Sequence, residues 1–325
     1  MVWIYKLDEA GRRTDTASGF VFQPNRVATA FQAIDAATRL ELEFATGRRL
    51  VLNKVLGWSR TGDWAVLEAD TGSLLPIGRG DPKKVAVGER LIVFNVESNA
   101  RVIGGVDIAG RRTVPGFGER IQISPAVTAE AAGGPLLDTY GRAVGILGGS
   151  LSPGARFSGR ALSVSPALWN SVSAENAVTP VSEIPRDLMG SGKTLDALAS
   201  EGILSAPITP MREFLYGGAS NELPKRASDP MPRDMSDFST RDPQVWIISL
   251  WARKGKLAKG ELSAKVYDPL NRSRVVVAAK KVTLQDMPVR IGFSFSPTSL
   301  QPGIYRIDLN WDGRPVWRTF IRITE

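Results

Sequence analysis

The sequence predicts a mostly β protein built from two β-rich domains. Two observations carry this. Short apolar runs separated by turns fill residues 1–172, at 20–22, 40–44, 65–67, 91–94 and 144–147, a spacing that suits closed or packed antiparallel sheets. Beyond residue 244 the apolar residues alternate with period two: Val289, Ile291, Phe293, Phe295; Tyr305, Ile307, Leu309; Trp317, Thr319, Ile321, Ile323. A chain of 325 residues exceeds the usual size of one domain, and 32 glycines and 21 prolines supply the turns that many short strands need.

In chain order, residues 1–172 form the first β domain. Residues 173–243 have the composition of a short, partly helical, Pro-rich linker. Leu188, Leu195, Leu198 and Ile203 recur at near-helical spacing, and Pro207, Pro210, Pro224, Pro230, Pro232 and Pro243 follow among charged and small residues. Within that stretch Phe214, Leu215 and Tyr216 demand cover. Residues 244–325, with several short strands and turns at Pro302-Gly303 and Asp312-Gly313, suggest a β-sandwich of immunoglobulin or fibronectin type without its cysteine pair.

Composition narrows the chemistry. The chain has no cysteine, which removes disulfides, thiolate catalysis and sulfur-bound metal. It has no histidine either, which removes a Ser-His-Asp triad, a Cys-His pair and a His-ligated zinc. No acidic loop resembles a calcium site; no cofactor and no metal are expected. Lys and Arg number 41 against 33 Asp and Glu, a net charge of +8 that favours acidic partners. The basic residues are scattered, the densest run being Arg253, Lys254, Lys256 and Lys259, which argues against a specific nucleic-acid interface.

Five segments in register carry a family resemblance. ASGFVF (17–22) is similar to a Gly-Ser-Gly opening strand. VATAFQAI (27–34) resembles V-L-T-A-A-H-V-V, which carries a general base, and GDWAVLEAD (62–70) resembles D-L-A-V-L-K, which carries an orienting aspartate. LLPIGRGD with VAVGERLIVF resembles the L-P-x-x-L-G-D turn and the strand after it. IQISPAVTAEAAGGPLLDTYGRAVGIL resembles the nucleophile turn N-P-G-N-S-G-G-P-L and its flanks. Together they resemble the HtrA-type, trypsin-like serine proteases. The resemblance implies two packed six-stranded β-barrels with a cleft between them. It puts Gln32 at the base, Asp63 at the orienter, Ala132 at the nucleophile and Glu130 at the oxyanion-hole glycine.

Of these only the aspartate matches the family. A methyl group cannot attack a carbonyl, and a carboxamide cannot take a proton near neutral pH. A carboxylate beside the hole would repel a developing oxyanion. The resemblance therefore implies a catalytically inactive relative, a pseudoprotease. Ala126, six residues before Ala132, falls where the family sets primary specificity. Being uncharged, it implies either a peptide pocket for an apolar side chain or a filled one.

The function implied is protein binding, as a scaffold, adaptor or regulator. Two alternatives stay open: a glycan- or surface-binding module, and a protease with an unusual centre. Trp246, Trp251, Trp311 and Trp317 would form the binding face of the former, with core packing as the competing reading of these rings. Two short motifs carry less. MGSGKT (189–194) has Asp187 where a phosphate loop needs its first glycine, and Arg79-Gly80-Asp81 sits where the resemblance demands a Gly-Asp turn. The family is commonly exported in bacteria, which implies an extracytoplasmic, periplasmic or secreted setting. The opening MVWIYKLDEAGRR does not read as a signal peptide, and no run of about 20 apolar residues spans a membrane.

Overall fold

A computed structural model describes residues 1–8, 10–97, 100–114, 118–125, 127–148, 177–188, 192–209, 211–224, 229–232, 234–253, 258–284 and 286–325. These residues fall into two compact units, one reaching to 148 and resuming at 177–205, the other beginning at Ala206. The boundary expected at 172 lies outside the described residues. No helix among them is long and apolar enough to cross a membrane.

The first unit contains β1 (Val2–Leu7), β2 (Arg13–Gln23), β3 (Arg26–Thr29), β4 (Arg39–Phe44), β5 (Arg49–Leu52), β6 (Lys54–Ser59) and β7 (Trp64–Glu68). It continues with β8 (Arg90–Glu97), β9 (Ala100–Val114), β10 (Gly118–Ser124), β11 (Pro135–Leu137), β12 (Ala143–Leu147), β13 (Ala177–Pro180) and β14 (Lys193–Thr194). Strands β10-β13-β12-β11-β8-β9 close a barrel, while β14-β6-β7-β3-β2-β1-β4-β5 form an eight-stranded sheet. The six inner strands of that sheet answer to the six expected; β5 and β14 extend its edges. Ile4, Val21, Val27, Leu42, Val55 and Leu67, drawn from six of its strands, share one core, so the sheet wraps around itself. This is the double β-barrel architecture of trypsin-like proteins.

Period two explains how the halves join. In β2, Val21 enters the first core, so Phe20 and Phe22 face the other way. In β3, Val27 enters the core and Ala28 faces out; in β7, Ala65 and Leu67 point in while Trp64 and Val66 point out. The outward set meets Leu137, Ala143 and Ile146 of the second barrel in a separate apolar layer.

Residues 177–205 come from the stretch with a linker's composition, yet they belong to this unit. Strand β13 closes the second barrel between β10 and β12. Leu195, Leu198 and Leu204 enter the first core. Among the described residues of this stretch only Leu195–Ser200 (α1) is α-helical, capped by Thr194, whose hydroxyl accepts from the Ala197 amide; Pro185, and Gly192 at φ +69°, interrupt the helical spacing before it. The segment is pinned where it ends. The Asp35 carboxylate is buried and receives Arg60 at 3.0 and 3.1 Å, the Ser205 amide at 2.7 Å and the Ser205 hydroxyl at 2.8 Å.

The second unit holds β15 (Phe214–Ser220), β16 (Asp237–Ser239), β17 (Val245–Trp251), β18 (Ala258–Tyr267), β19 (Ser273–Leu284), β20 (Val289–Phe295), β21 (Gly303–Trp311) and β22 (Arg314–Thr324). They form a three-stranded sheet, β15-β17-β20, and a five-stranded sheet, β16-β22-β21-β18-β19, whose inner residues build one apolar cluster. Trp251, Trp311 and Trp317 lie in that cluster, with the Phe214 ring edge-on to Trp251 at 5.1 Å. Core packing accounts for these three tryptophans, and Trp246 is half-buried. Phe214, Leu215 and Tyr216 lie in β15, paired with β17; the sequence places β15 and β16 within 206–243, the Pro-rich half of the same stretch. Strand β16 pairs parallel to β22, unlike the antiparallel remainder.

Three tight hairpins share one turn. Asp8-Gly11-Arg12, Asp138-Gly141-Arg142 and Asp268-Asn271-Arg272 occupy the first, fourth and fifth places of their loops. In each, the Asp amide bonds the Arg carbonyl, at 2.9, 2.9 and 3.0 Å. The Asp carboxylate accepts from the Arg amide and, at 2.8 Å, from its Nε. The fourth residue sits at φ +76°, +74° and +63°, where Gly or Asn is tolerated best.

The outward face of β21 carries a buried charge cluster. Asp308 accepts from Arg318 at 2.6 and 2.8 Å and from Arg306 at 3.1 Å. Burial alone would raise its carboxyl; the guanidiniums of Arg318 and then Arg306 override that and hold it below its ordinary value. Asp308→Asn would leave two buried guanidiniums facing each other. It should cost about 3–5 kcal/mol, read as lost hydrogen-exchange protection across β21 and β22. The folded carboxyl lies below its unfolded value of about 3.9. Its contribution is therefore complete above that pH and is lost as pH falls through the folded value. Replacing all three residues by apolar ones of similar volume should remove this acid sensitivity.

Candidate functional site

Gln32 lies in the 3-10 helix Phe31–Ala33 that follows β3. Phe31 and Ala33 are buried in the first core and leave Gln32 half-buried between them. Asp63 sits just before β7 at φ +52°, with its side chain buried. The two meet directly: the Gln32 amide donates to Asp63 Oδ1 at 3.1 Å. The carboxamide oxygen of Gln32 is buried and makes no hydrogen bond.

The loop carrying Asp63 is held from the second barrel. Arg120 of β10 donates to the Thr61 carbonyl at 2.6 Å, and the Thr179 hydroxyl of β13 donates to the Gly62 carbonyl at 2.8 Å. Burial pulls the Arg120 guanidinium below its ordinary value, and the carboxylates of Asp63 and Glu183 pull it back up. Neither Arg120 nor Thr179 was a sequence candidate. Side-chain bonds to carbonyls 59 and 117 residues away leave no residue-type signal.

Glu130 and Ala132 lie on the turn between β10 and β11, which opens with the 3-10 helix Ala129–Ala131. Ser18 of β2 ties this turn to the first barrel. Its amide donates to the Ala132 carbonyl and its hydroxyl to the Glu130 carbonyl, both at 2.8 Å. The Thr29 hydroxyl then donates to the Ser18 carbonyl at 2.7 Å, three residues before Gln32. Gln32 and Asp63 are thus joined directly, and the backbone of Glu130 and Ala132 is linked through Ser18 and Thr29 to β3, the strand that precedes Gln32. Ala126 lies outside the described residues.

The methyl of Ala132 neither donates nor accepts a hydrogen bond, the carboxamide of Gln32 is no base near neutral pH, and Asp63 Oδ1 accepts the Gln32 amide. Among the described residues no cluster of three or more carboxylates could hold a metal. The Arg79-Gly80-Asp81 tripeptide is spent internally. Arg79 donates to the carbonyls of Val181 at 2.6 Å and Ile184 at 2.7 Å over the Phe22 ring, and Asp81 accepts from the Lys83 amide.

Gly133 shows how closely the turn is fitted. It stands at φ +87°, and a Cβ there would overlap the Ser18 carbonyl and the Thr29 hydroxyl. Gly141, at φ +74°, has open space instead. Gly141→Ala should cost about 1 kcal/mol from the left-handed backbone alone. Gly133→Ala should cost at least about 3 kcal/mol, both measured by chemical denaturation of the whole chain.

Residues 17–146 match the family model of the trypsin-like peptidase domain. A 148-residue stretch is 22% identical to the anti-sigma-I factor RsgI9 of Acetivibrio thermocellus, covering 45% of this chain and 21% of that protein, so the chain spans about a fifth of this relative's length. Among solved structures, the HtrA-type protease AlgW with a decapeptide is similar at 16% identity and TM-score 0.43, covering 56% of this chain and 61% of the other. Deg5 is similar at 22% identity and TM-score 0.41, covering 56% and 83%. A serine endoprotease from Yersinia pestis is similar at 20% identity and TM-score 0.40, covering 53% and 60%. The family match over residues 17–146, taken with the closed barrel and the eight-stranded sheet that wraps around its own core, identifies the first unit as trypsin-like in fold.

Proposed function

We propose that the protein is a catalytically inactive member of the trypsin-like fold that serves as a protein-binding scaffold, adaptor or regulator. The observation that carries the reading is the pairing of Gln32 with Asp63 in a chain with no histidine. The carboxylate at the position that the resemblance gives to the orienter, Asp63, bonds a backbone amide beside a carboxamide, which supports the reading. Ala132 offers no nucleophile. Glu130 stands on the same turn where the resemblance puts a glycine.

The name of the matched relative from Acetivibrio thermocellus denotes a factor directed against a protein, which supports a binding role in this reading. The extracytoplasmic setting implied by the resemblance belongs to the same proposal, and cell fractionation of the native protein tests it. Several classes of acidic partner suit a net charge of +8. A folded or extended protein is the one that fits a scaffold.

The purified protein should leave unfolded casein uncut and take no label from a fluorophosphonate. Ala132→Ser alone should stay inert, because nothing at position 32 activates the hydroxyl. Reproducible cleavage by the unaltered protein that survives repurification would overturn the reading. The variant Gln32→His with Glu130→Gly and Ala132→Ser should be the first in the series to label.

A further inference from the structure

We propose that the outer edge of β19 is a docking site for an extended segment of another protein, one with a small-to-apolar centre and acidic residues at both ends. The proposal rests on the protein-binding reading above and names where the partner would bind. Strand β19 ends the five-stranded sheet and has only β18 beside it in the ladder. It is 12 residues long, about twice the usual strand. Among the described residues, its backbone makes no hydrogen bond outside that ladder to another main-chain group. An edge of this kind is a template for a further strand.

Its side chains specify what would pair. Val275 and Val277 lie opposite Val266 and Ala264 and belong to the core side; Val276 between them is 66% exposed. Residues 275–279 carry no charge, proline or glycine. Arg272 and Arg274 precede them, answered by the single carboxylate of Asp268. Lys280 and Lys281 follow, both exposed, with the Lys280 ammonium donating to the Gly292 carbonyl of β20 over the Phe293 ring, and the strand itself contains no acidic residue. A positive charge thus brackets an apolar centre at each end.

This pattern selects against a second copy of the same chain. Strand β19 carries one extra residue between Val277 and Lys280; antiparallel self-pairing about the apolar centre would still bring the Arg274 end of one copy to the Lys280-Lys281 end of the other, and parallel pairing in register would set each cation against itself. Like charges directly opposite are destabilising. A partner strand with Asp or Glu at both ends turns the same contacts favourable in either direction. Main-chain bonds would supply affinity, and the flanking charges would supply orientation-independent selection.

The test uses the full chain and synthetic peptides built on alternating Val and Thr. One has Asp-Glu flanks, one has Lys flanks, and the acidic peptide is also made in two N-methylated forms, blocking one or the other edge. The acidic peptide should bind, with new hydrogen-exchange protection at residues 274–279. Lysine flanks should weaken it tenfold or more, as should the charge-removing pair Arg274→Gln and Lys281→Gln. One of the two N-methylated forms should lose binding. No binding by the acidic peptide, protection elsewhere than β19, or equal binding by both N-methylated forms would overturn the assignment; the flanking cations would then serve only to keep the edge from self-association. Those failures leave the protein-binding reading standing, because they do not restore a nucleophile. Cleavage activity would sink that reading without touching the peptide result.

Discussion

The structure of the first unit depends on three strands that must hide both of their faces. Strands β2, β3 and β7 point Val21, Val27 and Leu67 into one core and Phe20, Ala28, Val66 and Trp64 into another. Burying a large side chain stabilises by about 1.5–3 kcal/mol, and here neighbouring residues on one strand do so in opposite directions. A one-residue slip would exchange the two sets and lose both. The polar groups of the site lie along the margin of the apolar layer. Gln32 comes just after β3, Asp63 just before Trp64, and Ser18 two residues before Phe20. The site exists at the rim of the apolar layer because that is where backbone amides become free to bond.

Part of the buried charge in this molecule ties together segments distant in sequence, and part is paired within one sheet. Asp35 fixes the end of the 177–205 segment through Arg60 and Ser205. Arg120 fixes the loop that carries Asp63. Asp308 gathers Arg306 and Arg318, and Arg318 also donates to the Ala206 carbonyl at 3.0 Å, at the start of the second unit. Such groups are costly to desolvate unless fully paired. Each sits where it specifies a position that apolar contact alone would leave degenerate.

Much of this was legible in the sequence, and the gaps have physical causes. Alternation located β20, β21 and β22, and the short apolar runs located β2, β4, β7, β8 and β12. Alternation left the burial of Arg306, Asp308 and Asn310 unread, because period two marks the face opposite Tyr305, Ile307 and Leu309 and says nothing of what covers it. The prolines of 206–243 concealed β15 and β16, since composition records breakers more loudly than a few paired residues between them. At the site, the spacing of family segments put Gln32, Asp63, Ala132 and Glu130 in one frame. Arg120, Thr179 and Ser18 escaped because each bonds a carbonyl, and a carbonyl belongs to every residue. Ala126 falls outside the described residues.

The turn that recurs at Asp8, Asp138 and Asp268 bears on time as well as on shape. Its bonds span four residues and need nothing from the rest of the chain. It closes the same register on both sides, pairing Leu7 with Arg13, Leu137 with Ala143 and Tyr267 with Ser273. Hairpins form in about 1–10 μs, whereas pairings of distant strands, such as β14 with β6, must first close a long loop. The three turns therefore let β1–β2, β11–β12 and β18–β19 settle their alignment early, one pair for each of three different sheets. The slow part of folding is left to bring together strands whose registers are already decided.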